Sequence, residues 1–284
     1  MTKHKSDDIV RQALTASPVD TTYIAGRWHH KRLNWRGFRT EAKVLAKSLT
    51  ITPNIGVKKF LVISRARSGT TLLSDLLDHH PDVQCDTEVL RNNMLSPATH
   101  LDLLARRSPA TAYGAKILSY QMVQIHRMRD PVGFLTNLTG KGFSFIHLER
   151  DTFAQTLSLT LAQKSNNFHS RKARANREKI TLDVEDFIGS LEWNDLLLRY
   201  ERFCLQDIPH LHLSYETDLL SPEAQAATTN RIFDWIGVPP YQVTSDLKKM
   251  LPKDPSNILA NYDTIVQTLQ NKGLGHLVPS SAPA

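Results

Sequence analysis

Apolar and polar positions follow a regular order from residue 58 onward, where short apolar runs are separated by helical patterns. Buried strands are expected where a run is apolar, rich in β-branched or aromatic residues and bounded by a turn. Five runs fit or approach this description: 59–63, 83–85, 113–118, 143–148 and 210–213. We expect the second of them to be short, because an acidic turn at 86–88 follows it.

Helical patterns lie between these runs. Leucines recur at helical spacing in 70–79, Asp151 is placed to cap the helix after the fourth run, and 184–206 is a long amphipathic segment. A serine–proline pair at 221–222 opens a further helix that ends at Gly237. Strands that alternate with helices predict an α/β fold of three layers, αβα, with a central parallel sheet.

Composition divides the chain into three parts. Residues 1–57 are polar and basic and form an N-terminal extension, which either packs on the main domain or frays, or else acts as a lid or contacts an anionic surface. Residues 58–272 form the main domain, in which the basic segment 165–181 is a loop or a solvated helix. Residues 273–284 are expected to be a mobile tail.

The balance of charge narrows the partners. The 284 residues include 35 Lys and Arg and 28 Asp and Glu, which gives a net charge of +7. This excess favours an anionic ligand, nucleic acid or an anionic membrane surface without choosing among them. Two cysteines exclude a disulfide framework and a cysteine zinc site. Because we find neither a signal-peptide pattern nor an apolar window of ~18 residues, we predict a cytoplasmic protein without a transmembrane segment.

The segment directly after the first predicted strand has the composition of an anion-binding loop. Its small residues and Gly69 let backbone amides converge, and the next helix contributes its positive end. Arg67 adds a planar cation, while Ser68, Thr70 and Thr71 add hydroxyl donors. The loop is not a Walker A motif, since Thr70 stands where that motif has lysine, and a Mg-dependent nucleotide hydrolase is therefore disfavoured.

The sequence R-S-G-T-T-L-L in this position resembles the 5′-phosphosulfate loop of sulfotransferases that use 3′-phosphoadenosine 5′-phosphosulfate (PAPS). The resemblance implies that residues 67–71 hold the phosphosulfate group. The same family carries an Arg at the end of a later strand and a Ser eight residues further on, and these two bind the 3′-phosphate. Arg150 and Ser158 match that pair. An Arg at the carboxyl end of a strand and a Ser two turns into the next helix can share one side.

Looser matches extend the resemblance over roughly residues 58–240. The helix after Arg150 is similar to that of bacterial trehalose 2-sulfotransferases. A Tyr-Glu pair after the last predicted strand resembles the pair of many sulfotransferases, which implies that Tyr215 lies near the nucleotide. The alternative is a strand-end tyrosine followed by a helix-capping Glu216. The fold that the resemblance implies is the P-loop-like sulfotransferase fold.

The resemblance also suggests which groups act on the acceptor. Glu88 lies 21 residues after Arg67, the offset of the catalytic glutamate in tyrosylprotein and trehalose sulfotransferases, and Asp86 is the alternative base. Lys116 matches a G-x-K segment whose lysine lies near the reacting centre. Structural alternatives remain, namely an exposed turn carboxylate for Glu88 and a strand-end surface lysine for Lys116.

The histidines give no metal-binding pattern along the sequence. His79 and His80 are expected to end the first helix, and His126, His147 and His169 show no metal spacing with each other. We therefore predict no metal ligands and no metal requirement.

The function implied by the resemblance is transfer of the sulfuryl group of PAPS to a hydroxyl of a small molecule, saccharide or glycolipid. Glu88 would act as base, while Arg67 and Lys116 would stabilise charge as 3′-phosphoadenosine 5′-phosphate (PAP) leaves. Nucleic acid is not an expected partner, and peripheral membrane contact and homodimer formation stay open. Three alternatives remain: a non-enzymatic basic binding protein, a nucleotide kinase of related fold, and a PAPS-binding protein without turnover.

Overall fold

Five strands form one sheet at the centre of the protein: β1 Lys58–Ser64, β2 Val83–Glu88, β3 Ala112–Leu118, β4 Phe143–Glu149 and β5 His210–Ser214. In the computed structural model, which describes residues 3–16, 35–165, 179–247 and 254–279, every strand pair is parallel. The strand order is β2-β3-β1-β4-β5. The predicted α/β architecture with a central parallel sheet is confirmed.

Helices and short helical turns connect the strands. The longer helices are α1 Lys3–Thr15, α2 Trp35–Ser48, α3 Thr70–Asp78, α4 Pro97–Arg107, α5 Pro131–Gly140, α6 Thr152–Ser165, α7 Val184–Leu205, α9 Pro222–Ile236 and α10 Tyr262–Asn271. The shorter ones are a π-helical turn Gln121–Ile125, the one-turn helix α8 Tyr215–Asp218, and 3-10 turns at Pro255–Asn257 and Gly275–Leu277.

Side-chain caps fix several of these helices where the sequence predicts them. The Asp151 carboxylate accepts a hydrogen bond from the backbone amide of Ala154 at 2.8 Å, in the first turn of α6. Ser221 caps α9 in the same way, and Gly237 ends that helix with a left-handed φ of 72°. The acidic turn predicted at 86–88 is wrong, because those residues continue β2 as far as Glu88.

The sheet is covered on both faces, which makes three layers. Alternate residues of β1 point to opposite faces, as the pleat of a strand requires. Phe60 and Val62 pack with α3 and α9, whereas Leu61 and Ile63 pack with α4, α5 and α7. A third apolar cluster joins α6, α7 and α10 beside the sheet. Burial on both faces explains why these strands are continuous apolar runs.

The two ends of the chain contribute to this core. In the N-terminal extension, Val10 and Ala13 of α1 are buried in the cluster that contains α7. In the predicted tail, Leu277 is buried in the cluster of α6, α7 and α10, so the part of the tail up to residue 279 is packed rather than free. The predicted basic segment lies largely outside the described residues, as do 17–34 and 280–284.

The described helices include none with both the length and the apolar character needed to cross a lipid bilayer. Both cysteines, Cys85 and Cys204, are buried free thiols.

The strand order defines where a ligand would bind. The connection that leaves β1 passes over β3 toward β2, whereas the connection that leaves β4 runs the other way, toward β5. Strands β1 and β4 are neighbours, so their two following loops diverge and leave a crevice between them. Such crevices at the carboxyl ends of parallel strands are the usual ligand sites of open α/β sheets.

Candidate functional site

The loop between β1 and α3 is shaped by two residues with left-handed backbone. Arg67 has a φ of 67° and Gly69 a φ of 96°, and Gly69 is the first residue outside α3. Gly69 has no side chain to cap the helix, so the first amides of α3 are available to an anion. Thr70 is buried in the first turn of the helix.

The hydroxyl group of Ser68 lacks a hydrogen-bond partner among the described residues. The Ser68 side chain is fully buried. Most buried polar atoms in proteins are paired, and an unpaired one at a loop between strand and helix indicates a missing partner such as a bound anion. Ser68 is therefore the residue of this loop that most directly indicates a ligand.

Tyr215 explains why position 69 requires glycine. A Cβ built on Gly69 would lie 2.4 Å from the Tyr215 ring, far inside contact distance. Tyr215, the first residue of α8 after β5, is buried against the loop. Tyr215 therefore contacts the β1–α3 loop directly, and its position near a nucleotide stays a prediction.

Arg150 connects the loop after β4 to the loop after β1. Its Nη1 donates a hydrogen bond to the carbonyl oxygen of Arg67 at 2.8 Å, and its guanidinium lies 4.4 Å from the centre of the Tyr215 ring. Burial lowers the pKa of Arg150, an effect that Tyr215, Glu216 and Asp151 oppose. The Nε of Arg150 is buried and has no hydrogen-bond partner among the described residues, so it remains available to an anion.

Ser158 completes this group from α6. Its Oγ accepts a hydrogen bond from Nε of Arg67 at 3.3 Å, and its side chain is buried. The sequence pairs Ser158 with Arg150, whereas the structure places its hydroxyl directly on Arg67. The residues of the two sequence motifs therefore meet in one cluster at the β1–β4 crevice.

Arg65 is a buried arginine whose hydrogen bonds hold the backbone of this cluster in place. The sequence alone indicated no role for it. Arg65 is 1% exposed, and it donates hydrogen bonds to Thr152 Oγ1 at 3.0 Å, to the Asn194 carbonyl at 3.2 Å and to the Arg150 carbonyl at 2.6 Å. Burial lowers the pKa of Arg65, and nearby carboxylates, Glu201 foremost, oppose this shift. Arg65 fixes the loops after β1 and β4 relative to each other.

The side-chain amide of Gln155 is a second group that holds the β1–α3 loop, and the sequence analysis did not identify it. Its Nε2 donates a hydrogen bond to the carbonyl of Ala66 and another to Oδ1 of Asn194 at 3.3 Å. Asn194 in turn donates to Thr156 Oγ1 at 3.1 Å. The loop backbone is thus held from α6 and α7 through buried amides, a role that no local sequence signal shows.

Glu88 and Lys116 form an ion pair beside the loop. Their side chains approach to 3.7 Å between Glu88 Oε1 and Lys116 Nζ, and Nζ also donates to Thr71 Oγ1 at 3.2 Å. Glu88 Oε2 accepts hydrogen bonds from Tyr120 at 2.9 Å and Gln121 at 3.1 Å. Burial lowers the pKa of Lys116, and the carboxylate of Glu88 opposes that shift. Glu88, with a third of its side chain exposed, is the member that a substrate can reach.

A bulge in β2 determines that Glu88, and not another residue of the strand, lies beside Lys116. The pairing of β2 with β3 runs from Asp86↔Ala115 directly to Glu88↔Lys116, so Thr87 is an extra residue. Side chains alternate between faces, and a regular strand would put Thr87 beside Lys116. Asp86, the alternative base, instead accepts a hydrogen bond from Tyr113 at 2.7 Å.

The histidines lie in different surroundings from one another. The exposed His79 follows α3, and the buried His80 packs against Phe233. His126 Nε2 lies 3.1 Å from the Leu90 carbonyl, and burial lowers its pKa. His147 is buried on β4, and His169 lies outside the described residues.

The arrangement has the chemical properties of a site for a ligand with two anionic ends. Groups that can donate hydrogen bonds to an anion lie around the β1–β4 crevice: Arg67, Arg150, the first amides of α3, and the Ser68 hydroxyl, which has no partner among the described residues. A carboxylate and an ammonium group stand together on the β2–β3 side of the same loop.

No protein-family model and no curated protein matches the chain. Among solved structures, a sulfotransferase from Alicyclobacillus acidocaldarius is 12% identical, with 80% of this chain and 96% of that chain covered and a TM-score of 0.47. Mouse sulfotransferase SULT7A1, solved in complex with PAP, is 13% identical, with 84% of this chain and 94% of that chain covered and a TM-score of 0.44.

Proposed function

We propose that this protein is a sulfotransferase that takes the sulfuryl group of PAPS and transfers it to a hydroxyl of a saccharide or glycolipid. The observation that carries the proposal is the buried Ser68 hydroxyl, which has no partner in the part of the chain that the structure describes. It lies in a loop whose Arg67 is hydrogen-bonded to Arg150 and Ser158. Thr70 at the position of a Walker lysine favours a phosphosulfate over the triphosphate of a kinase substrate.

In this proposal the donor spans the crevice between β1 and β4. Residues 67–71 bind the 5′-phosphosulfate through loop amides and hydroxyl groups. Arg150 and Ser158 bind the 3′-phosphate. The Tyr215 ring packs against Gly69 of the first loop and against the Arg150 guanidinium. The Nε of Arg150 has no hydrogen-bond partner among the described residues, and the 3′-phosphate would supply an acceptor for it.

The transfer step needs a base on one side of sulfur and cations on the other. Glu88 takes the proton of the acceptor hydroxyl, whose oxygen forms a bond to sulfur. The bond from sulfur to the bridging oxygen breaks, and PAP leaves with the electron pair. Lys116 lies between Glu88 and Thr71, and together with Arg67 it stabilises the negative charge that develops as PAP leaves.

A glycolipid acceptor is favoured by the exposed face of α2. This face carries a stripe of large apolar side chains: Trp35, Phe38, Leu45 and, directly after the end of the helix, Leu49. Trp35 is 75% and Leu49 81% exposed. They are spaced three, seven and four residues apart, so they lie along one side of the helix. Exposed apolar surface of this kind marks an interaction site.

Basic side chains follow the same helix next to the stripe: Arg36, Arg39, Lys43 and Lys47, all exposed. The opposite face is buried through Gly37 and Val44. An apolar stripe beside a basic one is typical of helices that lie in the interface of an anionic membrane. We propose that α2 binds this surface and presents the site to a membrane-borne acceptor.

Helix α2 packs on the chain segment that follows the proposed base Glu88. The Glu41 carboxylate accepts hydrogen bonds from the amides of Leu95 and Ser96, both at 2.8 Å. A Cβ on Gly37 would overlap the Asn93 carbonyl. These contacts fix α2 on the segment that begins directly after Glu88, which favours an acceptor delivered from the membrane to that residue.

The decisive test is ligand-dependent thermal unfolding followed by a transfer assay. PAP is expected to raise the unfolding free energy by ~2.7 kcal/mol at 100 times its dissociation constant. ATP with Mg²⁺ should not do so, and radiolabelled PAPS should label a glycolipid extract. Stabilisation by ATP with Mg²⁺ alone would favour the kinase alternative. Stabilisation by neither ligand, with salt-sensitive binding to polyanions, would favour the basic binding protein.

A further inference from the structure

A second group of side chains that can bind metal ions lies on β4 and on the edge strand β5. His147 and Glu149 on β4 and His212 on β5 come together there, and His147 pairs directly with His212 in the strand register. Glu149 Oε1 lies 3.5 Å from His147 Nδ1 and 3.5 Å from His212 Nε2. The three donor atoms all lie within 4.8 Å of one another.

Two of the three separations match the size of a tetrahedral zinc site, and the third, between the two imidazole nitrogens, is at most 4.8 Å. With bonds of about 2.0–2.1 Å to nitrogen and oxygen, neighbouring ligand atoms around tetrahedral Zn²⁺ are about 3.4 Å apart. The two separations of 3.5 Å need little adjustment to reach this value. Two imidazoles and one carboxylate also form a recognised zinc set, in which a water completes the fourth position.

The groups behind the ligands are those that hold metal ligands in place. His147 Nε2 lies 3.1 Å from Oε2 of Glu201 on α7, so this carboxylate can orient the ring and leave Nδ1 as the coordinating atom. Glu201 is 1% exposed, and its other oxygen has no hydrogen-bond partner among the described residues. Glu201 also lies close enough to the buried guanidinium of Arg65 to oppose the shift in its pKa, so the part of Glu201 in this site is to orient the His147 ring.

Glu149 is held in a similar way. Arg202 donates two hydrogen bonds to its carboxylate, from Nε to Oε1 at 2.8 Å and from Nη2 to Oε2 at 2.5 Å. A carboxylate offers about four lone-pair positions, so Oε1 can accept from Arg202 and still coordinate an ion. Both metal-ligand types in the cluster therefore have a fixed orientation.

Access to the cluster comes from the side of β5. The His147 side chain is 1% exposed and that of Glu149 13%, whereas His212 is 55% exposed. An ion can enter past His212, which then closes the ligand set.

We propose that His147, Glu149 and His212 bind one Zn²⁺ ion and that this ion fastens β5 to β4. Imidazole ligands favour Zn²⁺ over Mg²⁺ or Ca²⁺, which prefer oxygen ligands. The site is separate from the proposed donor site, although Glu149 directly precedes Arg150 in sequence. The competing explanation is a buried His147 paired with Glu149 and Glu201, with no metal.

The proposal is tested on the full-length, tag-free protein after removal of metal with a chelator. Zn²⁺ titration by calorimetry and Co²⁺ absorption spectroscopy are compared for the wild type, His212→Ala and His79→Ala. His79 is the matched control, because its side chain is 56% exposed and lies after α3 on another element. His212 is exposed to the same degree, so neither variant should disturb folding.

One ion per chain and the visible bands of four-coordinate Co²⁺ are expected for the wild type and for His79→Ala. In His212→Ala the affinity should fall by more than about 100-fold, since even the loss of a supporting group costs 10–100-fold. Zn²⁺ should also raise the unfolding temperature of the wild type and not that of His212→Ala. Equal affinity in His212→Ala, equal loss in both variants, or no stoichiometric binding would overturn the proposal and favour the metal-free pairing of His147.

Discussion

Nη1 of Arg150 donates a hydrogen bond to the backbone carbonyl of Arg67 at 2.8 Å, so the residue assigned to one phosphate holds the backbone that is assigned to the other. The contact links the two loops that line the β1–β4 crevice. Since Arg150 also lies over Tyr215, the loop conformation and the guanidinium position depend on each other. Changes at Arg150 must therefore be assessed with a ligand that isolates its phosphate contact.

Replacing Arg150 by Ala should weaken PAP binding about 30- to 100-fold, because a charge-assisted contact to a phosphate is worth roughly 2–3 kcal/mol. Adenosine 5′-monophosphate, which lacks the 3′-phosphate, should bind the variant and the wild type within about threefold. Calorimetry with both nucleotides measures this difference. An equal loss for both would show that Arg150 acts only by shaping the loop. Arg231→Ala, which removes a half-exposed surface arginine, serves as the control.

Replacing Ser68 by Ala should affect the free and the bound protein in opposite directions. In the free protein the variant removes a buried hydroxyl without a partner, so stability should stay equal or rise by up to ~1 kcal/mol. With PAP present the stabilisation should be smaller than in the wild type, because one donor to the anion is lost. Denaturant unfolding with and without PAP measures both effects. A clear loss of stability in the free protein would contradict the unpartnered state of Ser68.

Replacing Gly69 by Ala should destabilise the fold by about 2 kcal/mol or more. The new methyl would meet the Tyr215 ring at 2.4 Å, and the φ of 96° is unfavourable for any residue with a Cβ. Gly140→Ala is the matched control, because a Cβ at Gly140, in α5, meets nothing within 4 Å and a helical alanine is favoured. Thermal unfolding should show a loss for the first variant and none for the second.

Replacing Glu88 by Gln should lower the rate of sulfuryl transfer by about 100-fold or more and leave PAP affinity within twofold. The amide keeps the shape of the side chain and removes its basicity. Asp86→Asn should leave the rate within about threefold, since Asp86 is bonded to Tyr113 away from the pair with Lys116. Steady-state assays on both variants decide which of the two carboxylates is the base. A slow Asp86→Asn and a fast Glu88→Gln would reverse the assignment.

Replacing Trp35 and Leu49 together by Ala should reduce binding to anionic phospholipid vesicles by about tenfold or more. Each side chain loses an apolar contact worth up to ~1.5–3 kcal/mol when it is fully buried. Leu220→Ala, which shortens a leucine that is 37% exposed outside α2, should bind like the wild type. Vesicle sedimentation with anionic and with uncharged lipid measures both. Undiminished binding of the double variant would exclude α2 as the membrane contact.

The sequence predicted the sheet and the loops that carry the site, because strand ends and helix starts leave local signals. Apolar runs, Asp151, the Ser221 cap and Gly237 all have such signals, and each has the predicted role. The parallel order of the strands then brings the loops of Arg67 and Arg150 to one edge without further information.

What the sequence did not reveal depends on contacts between distant segments. An arginine in a polar loop is normally exposed, and only the buried acceptors around Arg65 show that this one is not. His147 and His212 are far apart along the chain, and their proximity follows from the β4–β5 register. The bulge at Thr87 likewise has no glycine or other local mark.

The extra residue in β2 has a consequence for comparing this chain with others. Counting along the sequence, the 21-residue offset from Arg67 to Glu88 includes Thr87, which has no counterpart on β3. A protein with the same site and a regular strand would carry its carboxylate at an offset of 20. An alignment of the two proteins without a gap between the loop arginine and the acid would therefore match Glu88 to a residue on the wrong face of the sheet.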